Sequence, residues 1–169
     1  MNVNDVYPKQ AYHYQKLADG LWVGSANAAE EFFSAAAIGD QQPRDGIKSV
    51  ISPAADCVTS RKLVYSRHLS VMLLPYADHD AIRTEVADAI IAFHKAVRPT
   101  FVHCAAGANR SLAVASILLM AVHGWSIEKA FEVSWPWCEG IRQGVVDWYK
   151  ARGLEGLSHM PEFYDRHKS

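Results

Sequence analysis

The sequence has 169 residues, of which 50% are hydrophobic, so it is long enough to form one globular domain with a buried core. Its 17 Lys and Arg residues nearly balance its 18 Asp and Glu residues, and the net charge of −1 argues against nonspecific binding to nucleic acid or to an acidic membrane. No run approaches the roughly 20 apolar residues that span a bilayer, and residues 1–5 lack the features of a signal peptide. Three cysteines are an odd and sparse set, which favours reduced thiols and a cytoplasmic protein.

The predicted elements alternate between strands and helices. Residues 1–16 show no period and are predicted to form an arm that lies on the body. Apolar runs bounded by Gly or Pro predict strands at 21–24, 47–52, 69–75 and 100–103. Helical spacing and capping residues predict helices at about 27–37, 82–97, 112–122, 126–135 and 144–152. We therefore expect an arm at 1–16, a single domain at 17–155 and a polar tail at 156–169.

This alternation predicts an α/β fold. Parallel strands joined by right-handed helical crossovers should form a central, mostly parallel, twisted sheet of about four to five strands, flanked by helices. Ligands of such folds bind outside the carboxyl ends of the strands. The segment that follows the strand at 100–103 lies at such an edge.

Residues 101–111 combine a strand, a short loop and the start of a helix. Cys104 follows the predicted strand at 100–103, small residues fill the loop, and Ser111 opens a long apolar helix. Backbone N–H groups of such a loop can surround an anion, and the helix adds the positive end of its dipole. A cysteine in this position is suited to act as a nucleophile toward the bound anion.

Residues 103–111, HCAAGANRS, match the HCxxGxxR[S/T] signature of cysteine-dependent protein tyrosine phosphatases. Residues 19–25 and 46–51 also resemble the first strands of the compact dual-specificity branch, so the resemblance extends over roughly 17–148. It implies a phosphatase domain at 17–155 that needs neither a metal nor a cofactor. It also implies phosphate binding by the loop residues Ala105, Ala106, Gly107, Ala108, Asn109 and Arg110.

The residue types of the loop predict the roles of its side chains. Cys104 should attack phosphorus to give a cysteinyl-phosphate, which water then hydrolyses. Arg110 should clamp the phosphate with its guanidinium fork. Ser111 is expected to hydrogen-bond the Cys104 sulfur in the second step, and His103 to orient the loop through a ring N–H rather than act as an acid or base.

The leaving group also needs a proton, which the resemblance implies comes from an Asp on a neighbouring loop. Asp78 follows the strand at 69–75, which we expect to lie beside the strand that ends at Cys104. Asp80 is the alternative general acid. Cys57 has two interpretations, as a packing residue or, as in some phosphatases of this kind, as a cysteine that forms a protective disulfide with Cys104 on oxidation.

The substrate is expected to be a phosphorylated protein or peptide. No Lys or Arg lies between Cys104 and Arg110, which argues against a highly charged inositol polyphosphate. We therefore predict hydrolysis of phosphotyrosine and phosphoserine/threonine by a monomer that binds neither nucleic acid nor membrane. The alternatives are a phosphatase for RNA 5′ ends or a small phosphorylated metabolite, and a phospho-binding module with little turnover.

Overall fold

Five strands form the centre of the chain in the computed structural model, which describes residues 14–30, 33, 46–55, 57–64, 66, 68–77, 80–105 and 109–152. The strands are β1 (Tyr14–Ala18), β2 (Leu21–Ser25), β3 (Ser49–Ser52), β4 (Ser70–Leu73) and β5 (Thr100–Cys104). Their order in the sheet is β1-β2-β5-β3-β4. Only β1 and β2 pair antiparallel, so the prediction of a mostly parallel sheet is confirmed.

Five numbered helices flank this sheet: α1 (Val58–Leu63), α2 (Thr84–Ala96), α3 (Arg110–Ala121), α4 (Ile127–Val133) and α5 (Glu139–Ala151). Residues 26–30 and residue 33 are also helical. Every residue of α3 from its first to its eleventh is buried, because the helix packs on β5 and β2 and is covered by α2, α4 and α5. The apolar character of α3 all round its axis predicts this central position.

Apolar side chains pack on both faces of the sheet. Val102 of β5 faces the larger core, which it shares with α2 to α5, whereas its neighbour Phe101 faces a smaller core with Phe33 and Leu63. This alternation is the period of two expected for a strand. Because both faces are covered, a functional group can reach solvent only at an end or edge of the sheet.

Beyond shifts of one or two residues at element ends, three described features differ from the sequence-based expectations. Strand β1 begins at Tyr14, so the last three residues assigned to the arm belong to the sheet. Helix α1 was not predicted, and α5 begins at Glu139 instead of at residue 144. Residues 1–13 of the arm and the tail at 156–169 lie outside the described residues. No helix within the described part is long and apolar enough to cross a membrane.

Candidate active site

Cys104 lies at the carboxyl end of β5, directly before the predicted loop. Its side chain is buried, and its Sγ donates a hydrogen bond to Ser111 Oγ at 3.2 Å. Ser111 is the second residue of α3, so the sulfur lies at the helix N-terminus, where the dipole favours negative charge. As a thiolate, the same sulfur would instead accept this bond from the Ser111 hydroxyl.

The neighbouring strand supports the beginning of the loop. Ser25, the last residue of β2, pairs in register with Cys104. Beyond this pair, the Ala26 N–H donates to the carbonyl oxygen of Ala105 at 3.0 Å. Ser25 Oγ in turn accepts from the Ala28 N–H at 3.0 Å, which fixes the start of the helical residues that follow β2. Backbone contacts with the end of β2 therefore hold the chain at Cys104 and Ala105.

Arg110 is the first residue of α3, and its side chain is buried. Its Nη1 donates to the carbonyl oxygen of Tyr76 at 2.6 Å. Tyr76 lies two positions before Asp78 in the sequence, so this bond brings the chain that enters the predicted acid loop to the start of α3. Asp78 itself, like His79, lies outside the described residues.

The route of the acid loop corrects one expectation. Strand β4, which precedes Asp78, was expected beside β5, but β3 lies between them. The chain after β4 reaches the site by pairing with the chain after β3: the Tyr76 N–H donates to the Pro53 carbonyl oxygen at 3.2 Å. The segment thus crosses the end of β3 before it meets Arg110.

Asp80, the alternative acid, is exposed and closes a turn within its own loop. Its Oδ2 accepts from the Ala77 N–H at 2.8 Å, and its own N–H donates to the Ala77 carbonyl oxygen at 3.1 Å. The next residue, Ala81, contacts α5 at Gly144, where an added Cβ would lie 2.6 Å from the Ala81 Cβ. A glycine is therefore needed at position 144 if the loop is to keep this path.

His103 is fully buried behind the loop. Its Nδ1 lies 3.4 Å from the Cys104 carbonyl oxygen, which is a long contact, and its Nε2 has no hydrogen-bond partner among the described residues. Burial lowers the pKa of His103 to about 4. The imidazole is consequently neutral near pH 7.

Asn109 joins the loop to α3, and its contact was not foreseen. Its Oδ1 accepts from the Cys138 N–H, in the loop between α4 and α5, at 2.6 Å. Ala105 is exposed, whereas Ala106, Gly107 and Ala108 lie outside the described residues. Neither Tyr76 nor Cys138 was singled out as a neighbour of the site, because both contacts use backbone groups that every residue carries.

None of the three cysteines, Cys57, Cys104 and Cys138, forms a disulfide. The proposed pairing of Cys57 with Cys104 on oxidation stays a prediction. Among the described residues, no group of three His, Cys, Asp or Glu side chains is arranged to hold a metal ion.

Comparison with known proteins identifies the fold. No protein-family model matches the sequence, and no curated protein matches it. The solved structures that resemble this chain are dual-specificity phosphatases and related tyrosine phosphatases. Human DUSP28 is 22% identical, with a TM-score of 0.60 over 82% of this chain and 94% of its own. DUSP15 is 18% identical, with a TM-score of 0.65 over 90% of this chain and 96% of its own.

A third structure, the human tyrosine phosphatase-like serine/threonine/tyrosine-interacting protein, is 15% identical, with a TM-score of 0.60 over 83% of this chain and 98% of its own. The chain therefore has the dual-specificity phosphatase fold, as its sequence predicts. At these identities the likeness is one of fold alone.

Proposed function

We propose that this protein is a cysteine-dependent phosphatase that hydrolyses phosphotyrosine and phosphoserine/threonine in proteins. The observation that carries the proposal is the position of Cys104, buried at the N-terminus of α3 with its sulfur 3.2 Å from Ser111 Oγ. Arg110 begins the same helix, so a guanidinium and a potential nucleophile flank one short loop. The dual-specificity phosphatase fold supports phosphatase activity in general, and the substrate class is our inference.

Binding of a phosphate monoester would use the backbone N–H groups from Ala105 to Arg110. Oriented donors of this kind stabilise the charge on the equatorial oxygens without having to reorganise. The Arg110 fork has five N–H donors, so one guanidinium can bond the Tyr76 carbonyl oxygen and also donate to phosphate oxygens. Substrate binding would thereby also tie the acid loop to the phosphate through one arginine.

In the first chemical step, the Cys104 thiolate attacks phosphorus and an S–P bond forms while the bond from phosphorus to the leaving oxygen breaks. The leaving oxygen takes the electron pair together with a proton from the Asp78 carboxylic acid. In the second step, water attacks phosphorus, gives a proton to Asp78, and the S–P bond breaks. The Ser111 hydroxyl would donate to the departing sulfur, for which the 3.2 Å separation is suitable.

Asp78 is preferred as the acid because the Asp80 carboxylate is already engaged. It accepts the Ala77 N–H and maintains the turn. Asp80 therefore has a sufficient role in shaping the loop. The contact between Arg110 and Tyr76 supports this choice, because Asp78 follows Tyr76 by only two positions in the sequence.

The substrate class follows from the charge of the loop. Its interior, from Ala105 to Asn109, contains no basic side chain, which favours a single monoester phosphate over a polyphosphate. We place this activity in the cytoplasm, which the lack of a disulfide among Cys57, Cys104 and Cys138 supports. The protein is proposed to act as a monomer on phosphorylated proteins or peptides, without a metal or cofactor.

The test is a comparison of kcat/KM for a phosphotyrosine peptide, a phosphoserine or phosphothreonine peptide, a 5′-triphosphate RNA and an inositol phosphate. We expect the peptides to be hydrolysed fastest, at a rate unaffected by a metal chelator. A clear preference for the RNA or the inositol phosphate would overturn the substrate class. Tight binding of the peptides with no turnover would instead indicate a phospho-binding module.

A further inference from the structure

The loop between α4 and α5, residues 134–138, is bonded to α3 at both of its ends. At one end, Ser116 Oγ of α3 donates to the Ser134 carbonyl oxygen at 2.8 Å, and the two hydroxyls are 2.7 Å apart. At the other end, the Cys138 N–H donates to Asn109 Oδ1 at 2.6 Å. The α4–α5 loop therefore runs beside α3 and reaches its N-terminus at the residue before Arg110.

A buried arginine fixes the middle of the α4–α5 loop. Nη1 of Arg142 donates to the carbonyl oxygens of Pro136 at 2.7 Å and of Trp137 at 2.8 Å. The guanidinium carbon also lies 4.6 Å from the centre of the Trp135 ring, within the range of a cation–π contact. Since Arg142 belongs to α5 and is only 5% exposed, the loop conformation is set from within the core.

Asn109 uses its side chain in an unusual way for its position. It is the N-cap residue of α3, where an asparagine ordinarily accepts a hydrogen bond from an N–H group in the first turn of the helix. Among the described residues it makes no such bond, and its Oδ1 accepts from Cys138 instead. An ordinary cap would occupy the donors that an anion requires at this helix end, and the contact with Cys138 avoids that competition.

We propose that Asn109 and Arg142 are positioning residues for the phosphate-binding loop, acting through the α4–α5 loop. Arg142 fixes the two carbonyl groups at 136 and 137, which orients the Cys138 N–H, and this N–H holds the Asn109 side chain away from the first turn of α3. The junction between the loop and Arg110 is thereby kept in the conformation that binds phosphate. The proposal rests on the proposed function and adds two residues to its site.

The experiment compares Asn109→Ala, Arg142→Met and their double variant with wild type, using p-nitrophenyl phosphate as substrate. Each single substitution should lower kcat/KM by about tenfold to a hundredfold, the size expected when a reacting group is displaced by about 1 Å. Both residues act through one contact, so their effects should not multiply. The kcat/KM of the double variant should therefore be no more than about threefold below that of the less active single variant. Losses that multiply in the double variant would overturn the proposal.

Two further variants separate positioning from general stability. Arg142→Lys should keep most of the wild-type activity. Nη1 of Arg142 donates both hydrogen bonds to the loop, and the ammonium group of a lysine can take its place. Arg152→Met is the matched control, since Arg152 also lies over a tryptophan, Trp148, but follows the opposite end of α5. We expect Arg152→Met to stay within about twofold of wild type. An equal loss in the control, or no loss in Arg142→Met, would contradict the proposal.

Binding of tungstate, a tetrahedral oxyanion, keeps this proposal distinct from the proposed function. Isothermal titration should show at least fivefold (~1 kcal/mol) weaker binding to Asn109→Ala and Arg142→Met than to wild type, and unchanged binding to Arg152→Met. If wild type hydrolyses no phosphate ester, the proposed function fails, and tungstate affinity alone decides the role of the two residues. Equal affinity in all four proteins would refute that role.

Discussion

The two ends of strand β5 carry polar groups that are used in opposite ways. At its amino end, Thr100 Oγ1 lies 2.7 Å from His94 Nδ1 and accepts a hydrogen bond from Ser49 Oγ at 2.9 Å. His94 Nε2 then contacts His123 Nε2 at 3.0 Å. At its carboxyl end, Cys104 meets a helix N-terminus beside a buried arginine. One end satisfies its polar groups internally, whereas the other holds the residues to which we assign phosphate binding.

This difference separates stability from activity within a strand of five residues. Buried polar groups that are fully hydrogen-bonded stabilise and rigidify a core, and loss of one partner is costly. Polar groups that serve a ligand contribute less to the stability of the folded chain, as expected for a site in which function opposes stability. Substitutions at the two ends should therefore change different measurements.

The largest expected effect is that of Cys104→Ser compared with Thr100→Val. A hydroxyl is a poor nucleophile near neutral pH, so Cys104→Ser should lower kcat by about 10⁴-fold or more while it retains tungstate binding. Thr100→Val should keep kcat/KM within about twofold but lower the free energy of unfolding by about 1–3 kcal/mol, because His94 and Ser49 lose a buried partner. Steady-state kinetics and urea unfolding of the same two proteins measure both quantities.

Either result can break the comparison. Activity that survives in Cys104→Ser would remove the covalent mechanism. If Thr100→Val lowers kcat/KM well beyond the expected twofold, the amino end of β5 also supports catalysis.

A smaller effect is expected from the two candidate acids. Asp78→Ala should lower kcat for a phosphoserine peptide by about 10²–10⁴-fold and remove the fall in rate at higher pH. The loss should be much less for p-nitrophenyl phosphate, whose leaving group needs little protonation. Asp80→Ala should reduce both substrates by the same few-fold factor, because it opens the turn at Ala77 without changing the chemistry.

The dependence on the leaving group identifies the acid. The assignment of Asp78 is wrong if Asp80→Ala lowers kcat much more for the phosphoserine peptide than for p-nitrophenyl phosphate and Asp78→Ala does not. The two variants are matched, since both remove one carboxylate from the same loop.

The sequence predicts best those elements whose pattern lies in consecutive residues. Strand β5 and helix α3 are nearly continuous apolar runs, and the nucleophile, loop and arginine between them occupy one stretch of chain. Strand β1 was missed because only Leu17 is buried among its five residues, as is common at a sheet edge. Helix α5 was predicted to start too late because Gly144 resembles a helix boundary, whereas it permits the close approach of Ala81.

Contacts between distant residues could not be predicted in this way. The order β5-β3-β4 depends on which strands pair, and the apolar pattern of β4 is the same whether it lies beside β3 or β5. The bonds from Arg110 to Tyr76 and from Asn109 to Cys138 end on backbone groups, so no residue type marks them. The candidate side chains could thus be named from the sequence, whereas the backbone groups that contact them could not.

The smallest expected effect concerns pH. Burial, followed by the nearby charges of His123 and Arg98, lowers the pKa of His94 to about 4, and burial also lowers the pKa of His123 despite the opposing influence of Asp19. An unfolded histidine has a pKa near 6.5. Between these values the unfolded chain binds a proton that the native chain does not, so native stability is complete above about pH 6.5 and falls as the pH is lowered toward 4.

For His94 alone this linkage predicts a loss of about 2 kcal/mol in the free energy of unfolding between pH 7 and pH 5. Urea unfolding at pH 7 and at pH 5 measures this loss in the free energy of unfolding. The loss should be about 2 kcal/mol smaller in His94→Gln than in wild type. Because His103 at the other end of β5 has a similarly lowered pKa, His103→Gln should reduce the loss by a comparable amount. A wild-type protein equally stable at both pH values would mean that the two rings take up protons in the native state, which their burial should prevent.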